Sequence, residues 1–269
     1  MVSFPHTETL ERIESALRAA RTVFQRFTLG AIEAEYKAGH DPVTEADRAL
    51  DVALRKELLR DGEGWLSEES VDNLSRLEKK RVWVVDPLDG TREFVAGIPE
   101  FCTSIALVKD GRPVAGGIYN PATEETFLGA IGWGVTYNGI PTQASQRKSL
   151  NGAVILASRS ELKRGEWKQF EDADFQIRPM GSIAYKLALV AAGRADATFT
   201  FVPKHEWDIA AGVALVGSSG GSVGSLDDRR LRFNERHPLV SGLIACAPSL
   251  ASELVCRLGL SAASFPSHE

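Results

Sequence analysis

Hydrophobic residues return at steps of three and four near the start of the chain: Leu10, Ile13, Leu17, Ala20, Val23, Phe24 and Phe27 share one face, and Gly30 closes the run. That period predicts an amphipathic helix. A second follows Thr44, with Leu50, Ala53, Leu54 and Leu58 inward and Asp61-Gly62 at its end. The period then changes. Val82-Trp83-Val84-Val85 is a short unbroken apolar run that stops at Asp86 and reads as a buried strand. Phe101 to Val108 and Pro113 to Tyr119 flank Asp110-Gly111, a hairpin signal, and Thr126 to Ala130 and Gly134 to Tyr137 lead to another turn at Asn138-Gly139. Residues 139–152 are polar and turn-rich, which places a boundary between an N-terminal half, 1–145, and a C-terminal half, 146–269. Beyond it the types alternate: strand at Val154 to Ala157, helix at Ile183 to Ala192, strand at Ala195 to Phe201, helix at Ile209 to Val216, strand at Leu239 to Cys246, helix at Leu250 to Leu258. Alternation with sizeable antiparallel pieces predicts a layered α/β (α+β) architecture.

Composition narrows the class. The 269 residues carry 31 Lys+Arg against 36 Asp+Glu, net −5, with 43% hydrophobic and 25% charged residues, which suits a folded globular chain rather than a disordered one. A slightly acidic chain without a basic cluster argues against a nucleic-acid polymer as partner. No apolar run approaches the roughly 18 residues of a membrane span. Met1 to His6 lacks the charged start and apolar middle of a signal peptide. Cys102, Cys246 and Cys256 are odd in number and have no zinc spacing, so the expectation is buried thiols in a reducing cytoplasm.

Several chemical motifs fail on context. Gly220-Gly221-Ser222-Val223-Gly224 spells G-x-S-x-G, but a helix precedes it where a nucleophile elbow needs a strand, so it reads as a glycine-rich loop. No dinucleotide fingerprint, P-loop or H-E-x-x-H occurs. The informative stretch is Asp86-Pro87-Leu88-Asp89-Gly90-Thr91. Asp, Pro and Gly are turn residues in any case. Two carboxylates three apart at the end of an apolar strand nevertheless repel each other, and such a pair persists when a cation neutralises it. All-oxygen ligands favour a hard ion such as magnesium over zinc. Gly90 and Thr91 would then offer backbone N–H groups to an anion beside the metal.

This stretch resembles the D-P-[IL]-D-G-T signature of the inositol monophosphatase superfamily. Asp41-Pro42-Val43-Thr44-Glu45-Ala46-Asp47 resembles the family's D-x-V-T-x-x-D, Leu66-Ser67-Glu68-Glu69-Ser70 its glutamate loop, and Glu206-Trp207-Asp208-Ile209-Ala210-Ala211-Gly212 its W-D-x-A-A-G, all in order. The resemblance implies an α/β/α/β/α sandwich and a phosphomonoesterase that uses two or three Mg²⁺ and is inhibited by Li⁺. It implies metal ligands at Glu68, Asp86, Asp89 and Asp208, with Leu88 ligating through its carbonyl. Asp89, Gly90, Thr91, Gly181, Ser182 and Asp208 would line the substrate site. Asp47 and Thr91 would position and activate the attacking water, with Glu68 also serving catalysis. Magnesium ions lower the pKa of bound water, orient phosphate and stabilise the leaving oxygen. Trp207 reads as core packing. Thr44 and Asp47 also form a capping box, so a purely structural role competes with the catalytic one. Relatives are commonly dimers, which allows a homodimer here.

The flanking residues refine the resemblance. Thr91-Arg92-Glu93-Phe94 and Leu66-Ser67-Glu68-Glu69 resemble the T-K-E-F and L-S-E-E of 3'(2'),5'-bisphosphate nucleotidases. The glutamate that inositol enzymes place before W-D is missing from Ala197-Thr198-Phe199-Thr200-Phe201-Val202, and Lys204-His205 would suit a second phosphate. The expected substrate is thus a small phosphate monoester of the bisphosphate nucleotide type, with inositol 1-phosphate or histidinol phosphate as alternatives. A haloacid-dehalogenase phosphatase is disfavoured because its aspartates sit two apart, and a non-catalytic binding protein because the ligand positions are intact.

Overall fold

Two helices open the chain. The computed structural model describes residues 7–36, 42–227 and 230–260, so Asp41 and the Met1–His6 start lie outside the described residues. Helix α1 spans Thr7–Phe24, and α2 spans Glu45–Leu58 behind the predicted Thr44 cap. Seven strands follow in sheet order: β1 Gly64–Ser67, β2 Arg81–Asp89, β3 Cys102–Lys109, β4 Arg112–Asn120, β5 Glu125–Ala130, β6 Gly134–Tyr137 and β7 Ile140–Thr142. The β1–β2 pair is parallel and the rest antiparallel. The short helix α3, Thr91–Val95, follows β2.

Strand β2 shows why the layers stack as they do. Its residues alternate between faces. Trp83 and Val85 pack with Ile13, Leu17, Leu50 and Leu54 of α1 and α2, whereas Val82 and Val84 face the middle of the molecule. A second sheet is built from β8 Val154–Ser158, β9 Gln176–Met180, β10 Ala197–Thr200, β11 Ser222–Ser225 and β12 Leu243–Cys246, in the order β9-β8-β10-β12-β11. Between the sheets lie α5, Ile183–Ala191, and α6, Glu206–Ser218, apolar on nearly every side as a sandwiched helix must be. The outer face of the second sheet is covered by α4, Arg159–Arg164, by Trp167 and Phe170, and by Leu250 and Leu254 at α7, Ala251–Arg257. The order is therefore helix, sheet, helix, sheet, helix, the five-layered sandwich that the motifs imply. Among the described residues no helix is long and apolar enough to cross a membrane.

The structure departs from the hydrophobic pattern in instructive places. The polar 139–152 stretch contributes the edge strand β7, whose exposed residues hide its pairing from a pattern search. Strand β9, Gln-Ile-Arg-Pro-Met, has one buried residue and carries no strand period; it forms because β8 offers it a parallel edge. The predicted Leu239–Cys246 strand breaks into Leu239–Val240 and β12 at Gly242, whose φ of 138° interrupts the ladder. Cys102 and Cys246 are buried, but Cys256 is exposed: α7 packs through Leu254 and Val255, which turns Cys256 outward.

Close approach of helices to β4 depends on two consecutive glycines. A Cβ on Gly116 would stand 2.6 Å from the Ala211 carbonyl of α6, and one on Gly117 would stand 2.3 Å from Ile13 of α1. We expect Gly116→Ala to cost about 1–3 kcal/mol by overpacking, because the atom it meets is backbone. Urea unfolding should show this as a lower midpoint at unchanged slope. An unaltered midpoint would mean that α6 moves away from β4 freely.

Candidate active site

Strand β2 ends irregularly, and the irregularity aims its aspartates. Its pairing with β3 runs regularly to Asp86–Ser104, then shifts before Asp89–Cys102. Pro87 and Leu88 form the displaced piece, pinned where the Thr103 hydroxyl donates to the Pro87 carbonyl at 2.8 Å. Gly90 follows at φ 98°, a left-handed conformation that glycine adopts readily, and Thr91 starts α3. Between Asp86 and Thr91 the chain thus turns out of the sheet, leaving both aspartates at one end of it.

Glu68, Asp86 and Asp208 each offer an oxygen within 4.8 Å of the others. In Asp86, Asp89 and Asp208 one oxygen is tied down. Asp86 Oδ1 accepts from the Leu88 N–H at 3.0 Å. Asp89 Oδ2 accepts from the Ser182 hydroxyl at 2.6 Å and the Ala184 N–H at 2.7 Å. Asp208 Oδ2 accepts from the His205 N–H at 2.9 Å. No hydrogen bond to a described residue occupies their second oxygens. Glu68 is placed from behind: Asp51 of α2 receives the Ser67 hydroxyl at 2.5 Å and the Ser70 hydroxyl at 2.6 Å, clamping the glutamate loop.

Asp47 serves two neighbours at once. Its Oδ2 accepts from the Thr44 N–H at 2.7 Å and the Thr44 hydroxyl at 2.6 Å, completing the capping box of α2. Its Oδ1 lies 3.0 Å from the Thr91 hydroxyl, which is also 3.0 Å from the Leu88 carbonyl. A hydroxyl has one proton, so Thr91 serves one of these two at a time.

The electrostatics follow from crowding. Asp86 is pushed well above the usual carboxylate range by burial, then by the charges of Glu68, Asp89, Asp208 and Asp47. Asp208 is raised for the same reasons, burial first and Asp89 next. Burial also raises Asp89 and Asp47, against the hydrogen bonds that each accepts. A set of oxygen-only donors that resist ionisation together fits a hard divalent cation such as Mg²⁺, whose charge would offset their repulsion.

One cavity of about 450 Å³ gathers nearly every residue predicted from sequence: Glu68, Asp86, Leu88, Asp89, Gly90, Thr91, Gly181, Ser182, Lys204, His205 and Asp208 all line it. Asp47 joins through Thr91. Two details qualify the picture. The Gly181 N–H is taken by Glu100 Oε2 at 2.8 Å, and Ser182 directs its proton to Asp89, so this pair holds the site together from within. Trp207 is only partly buried; it packs against the core and stacks on His205 at 4.4 Å between centroids.

The sequence reading missed Lys186, Arg159 and Asp51. Arg159 lines the cavity but is held by Glu100 at 2.8 and 2.6 Å. Lys186 is 3% exposed, and burial first, then the Lys204 charge, hold its pKa down to about 8. The signal for Lys186 was available: it is the one charge in the apolar run from Ile183 to Ala191.

Comparison with known proteins agrees with the geometry. The sequence profile of the inositol monophosphatase family matches residues 6–260. An inositol-1-monophosphatase of Mesorhizobium japonicum is 36% identical over 225 residues, 80% of this chain and 84% of that protein. The crystal structure of the extragenic suppressor protein suhB from Bartonella henselae superposes with a TM-score of 0.81 at 30% identity, covering 94% of this chain and 98% of that one. CysQ from Bacteroides thetaiotaomicron gives 0.75 at 26% identity, covering 91% and 98%.

The raised carboxylates set an expected pH dependence for the protein stripped of metal by EDTA. Their folded pKa values lie above the unfolded ones, so protonation stabilises the fold. That contribution is complete below an unfolded carboxylate pKa of about 4 and is lost as pH rises through the folded values. The melting temperature in EDTA should therefore fall between pH 5 and pH 8, and added Mg²⁺ should raise it more at pH 8. A flat profile with no response to Mg²⁺ would remove the cation from the account.

Proposed function

Since the chain belongs to the inositol monophosphatase family of Mg-dependent phosphatases, we propose that its cavity hydrolyses a small phosphate monoester by direct attack of an activated water. The carrying observation is the cluster of Glu68, Asp86 and Asp208 with the Asp47–Thr91 hydrogen bond at its edge. Bound Mg²⁺ would supply Lewis acidity, neutralising phosphate and lowering the pKa of water. Glu68 and the second oxygens of Asp86, Asp89 and Asp208 would hold the ions, and the Leu88 carbonyl would add a ligand. When Thr91 donates to Asp47, its lone pairs are left to accept a proton from water, and Asp47 Oδ1 can take the Thr91 proton in turn. Burial raises the pKa of Asp47, which makes it a better proton acceptor. Gly90 takes the left-handed turn that would present its N–H and that of Thr91 to phosphate, and Lys204 and His205 would meet the remainder of the substrate.

For specificity we favour a 3'(2'),5'-bisphosphate nucleotide. Thr200 stands in the segment before Trp207-Asp208 where an inositol enzyme would place a carboxylate for sugar hydroxyls, and the Lys204 cation with His205 beside it suits a second phosphate. Inositol 1-phosphate is the second reading, favoured by the 36% identity to a protein bearing that activity in its name.

EDTA should abolish phosphate release, Mg²⁺ should restore it and Li⁺ should inhibit it; full turnover after exhaustive chelation would sink the mechanism. In a release panel, 3'-phosphoadenosine 5'-phosphate should exceed inositol 1-phosphate in kcat/KM by at least about tenfold, or roughly 1.4 kcal/mol. The reverse order would replace the nucleotide with the polyol and leave the chemistry standing.

Asp47→Asn separates cap from catalyst. The amide oxygen can keep both Thr44 donors, while the NH2 group turns to Thr91 and removes its proton acceptor. We expect a melting temperature within a few degrees of wild type and kcat lower by at least about a hundredfold. A wild-type kcat with a clear loss of stability would reduce Asp47 to a helix cap.

A further inference from the structure

Tyr185 is one of two polar side chains in α5, and it is buried. A buried phenol calls for a hydrogen-bond partner. The partner lies on the first sheet: the Tyr185 hydroxyl donates to Glu125, the first residue of β5. The same carboxylate accepts from the Tyr137 hydroxyl of β6 at 2.7 Å and from the Thr123 hydroxyl at 2.7 Å. Burial would raise the Glu125 carboxyl, but these three hydroxyls hold it below its ordinary value, so it stays an anion. The turn before Glu125 is fixed in its own right, because Asn120 Oδ1 accepts from the Ala122 N–H at 2.9 Å and the Thr123 N–H at 3.3 Å. Phe127 seats the Tyr185 ring edge-on, 6.3 Å between centroids.

The backbone of Tyr185 belongs to the cradle of Asp89. Its N–H donates to the Ser182 hydroxyl at 3.0 Å, and that hydroxyl and the Ala184 N–H both donate to Asp89 Oδ2. Ser182 stands at φ 46°, a left-handed conformation that costs energy in a residue with a side chain and persists where its surroundings over-determine it. The apolar residues of α5 supply no such direction. Burying apolar surface keeps the helix in the core but leaves it free to turn and slide, since the effect is non-directional. Asp89 ends β2 and Glu125 starts β5, three strands on, about 14 Å across the sheet. Helix α5 is thus tied to the first sheet at two separated points, and two points fix its rotation where one does not.

We propose that Tyr185, held by Glu125, is a positioning residue of the metal site: it sets the rotation of α5 and so aims the second oxygen of Asp89 at the cation. This rests on the metal-dependent phosphatase reading and adds to it a residue outside the cavity. Removing a partner that orients a metal ligand typically weakens metal binding about 10–100-fold.

The test compares Y185F with Y137F. Each removes one hydroxyl from Glu125 and keeps its ring, but only the first unties α5. MgCl₂ is titrated calorimetrically into the metal-free protein without substrate, and melting temperatures are measured alongside. Y185F should bind Mg²⁺ at least about tenfold more weakly than wild type, and Y137F within about threefold of wild type, with both melting slightly lower. In phosphate release, Y185F should need at least about tenfold more Mg²⁺ for half its maximal rate, while kcat at saturating Mg²⁺ stays within about threefold of wild type. Equal Mg²⁺ affinity in wild type and Y185F overturns the proposal however far the melting temperature falls. An equal loss in both variants overturns it too, as general loosening of the fold. Wild type that binds Mg²⁺ and releases no phosphate ends the phosphatase reading, yet a weakened Y185F would still establish the positioning role; wild type that takes up no Mg²⁺ overturns both.

Discussion

Asp47, Asp86, Asp89 and Asp208 crowd one cavity with Glu68, and the surrounding structure must hold them against mutual repulsion. Two unit charges 4.8 Å apart, the spread of the Glu68, Asp86 and Asp208 oxygens, repel by about 3.5 kcal/mol at an effective dielectric of 20. Hydrogen bonds to a charged group contribute about 1.5–3 kcal/mol each. The two are of similar size, so the anchors can hold the cluster together while leaving it short of a cation. Asp86, Asp89 and Asp208 each give one oxygen to an N–H or hydroxyl and keep the other for the cavity. The arrangement is held by the protein's own hydrogen bonds and leaves charge that a cation would offset.

Helix α2 shows how the same residues serve the fold and the proposed chemistry. Asp47 and Asp51 are one turn apart on it, both buried. Asp47 caps the helix with one oxygen and reaches Thr91 with the other; Asp51 clamps Ser67 and Ser70 on either side of Glu68. The capping and catalytic readings of Thr44-Glu45-Ala46-Asp47 are therefore compatible, because a carboxylate has two oxygens and the two tasks face different directions. A helix docked by Leu50, Leu54 and Leu58 against β2 thereby sets the distance between the glutamate loop and the aspartates.

Much of this was legible because short-range rules govern it. The 3.6-residue period of α1 and α2, the unbroken apolar run of β2 and the Asp-Gly and Asn-Gly hairpins each encode their own local structure, and the spaced carboxylates pointed to one site. What stayed hidden depends on partners distant in sequence. Strand β9 exists only because β8 is beside it. The serines of the glutamate loop gain their meaning from Asp51, sixteen and nineteen residues away. Lys186 reads as one polar residue in an apolar helix until the second sheet buries it, and Ser182 comes to hold Asp89 only once α5 meets β2.

The sandwich explains why the carboxylates collect where they do. Three of them sit at helix starts: Asp47 in the first turn of α2, Asp208 in the first turn of α6, and Asp89 against the Ala184 N–H that opens α5. A helix N-terminus carries a partial positive charge and unpaired N–H donors, so each site favours an anion there. Because α5 and α6 lie between the two sheets and α2 covers the outer face of the first, three N-termini converge where β2 ends. Their fields partly offset the charge of the aspartates, and the same fields would favour a phosphate once cations hold the carboxylates. One architectural fact, helices whose N-termini meet the end of β2, thus supplies both the clustered carboxylates and the environment that tolerates them.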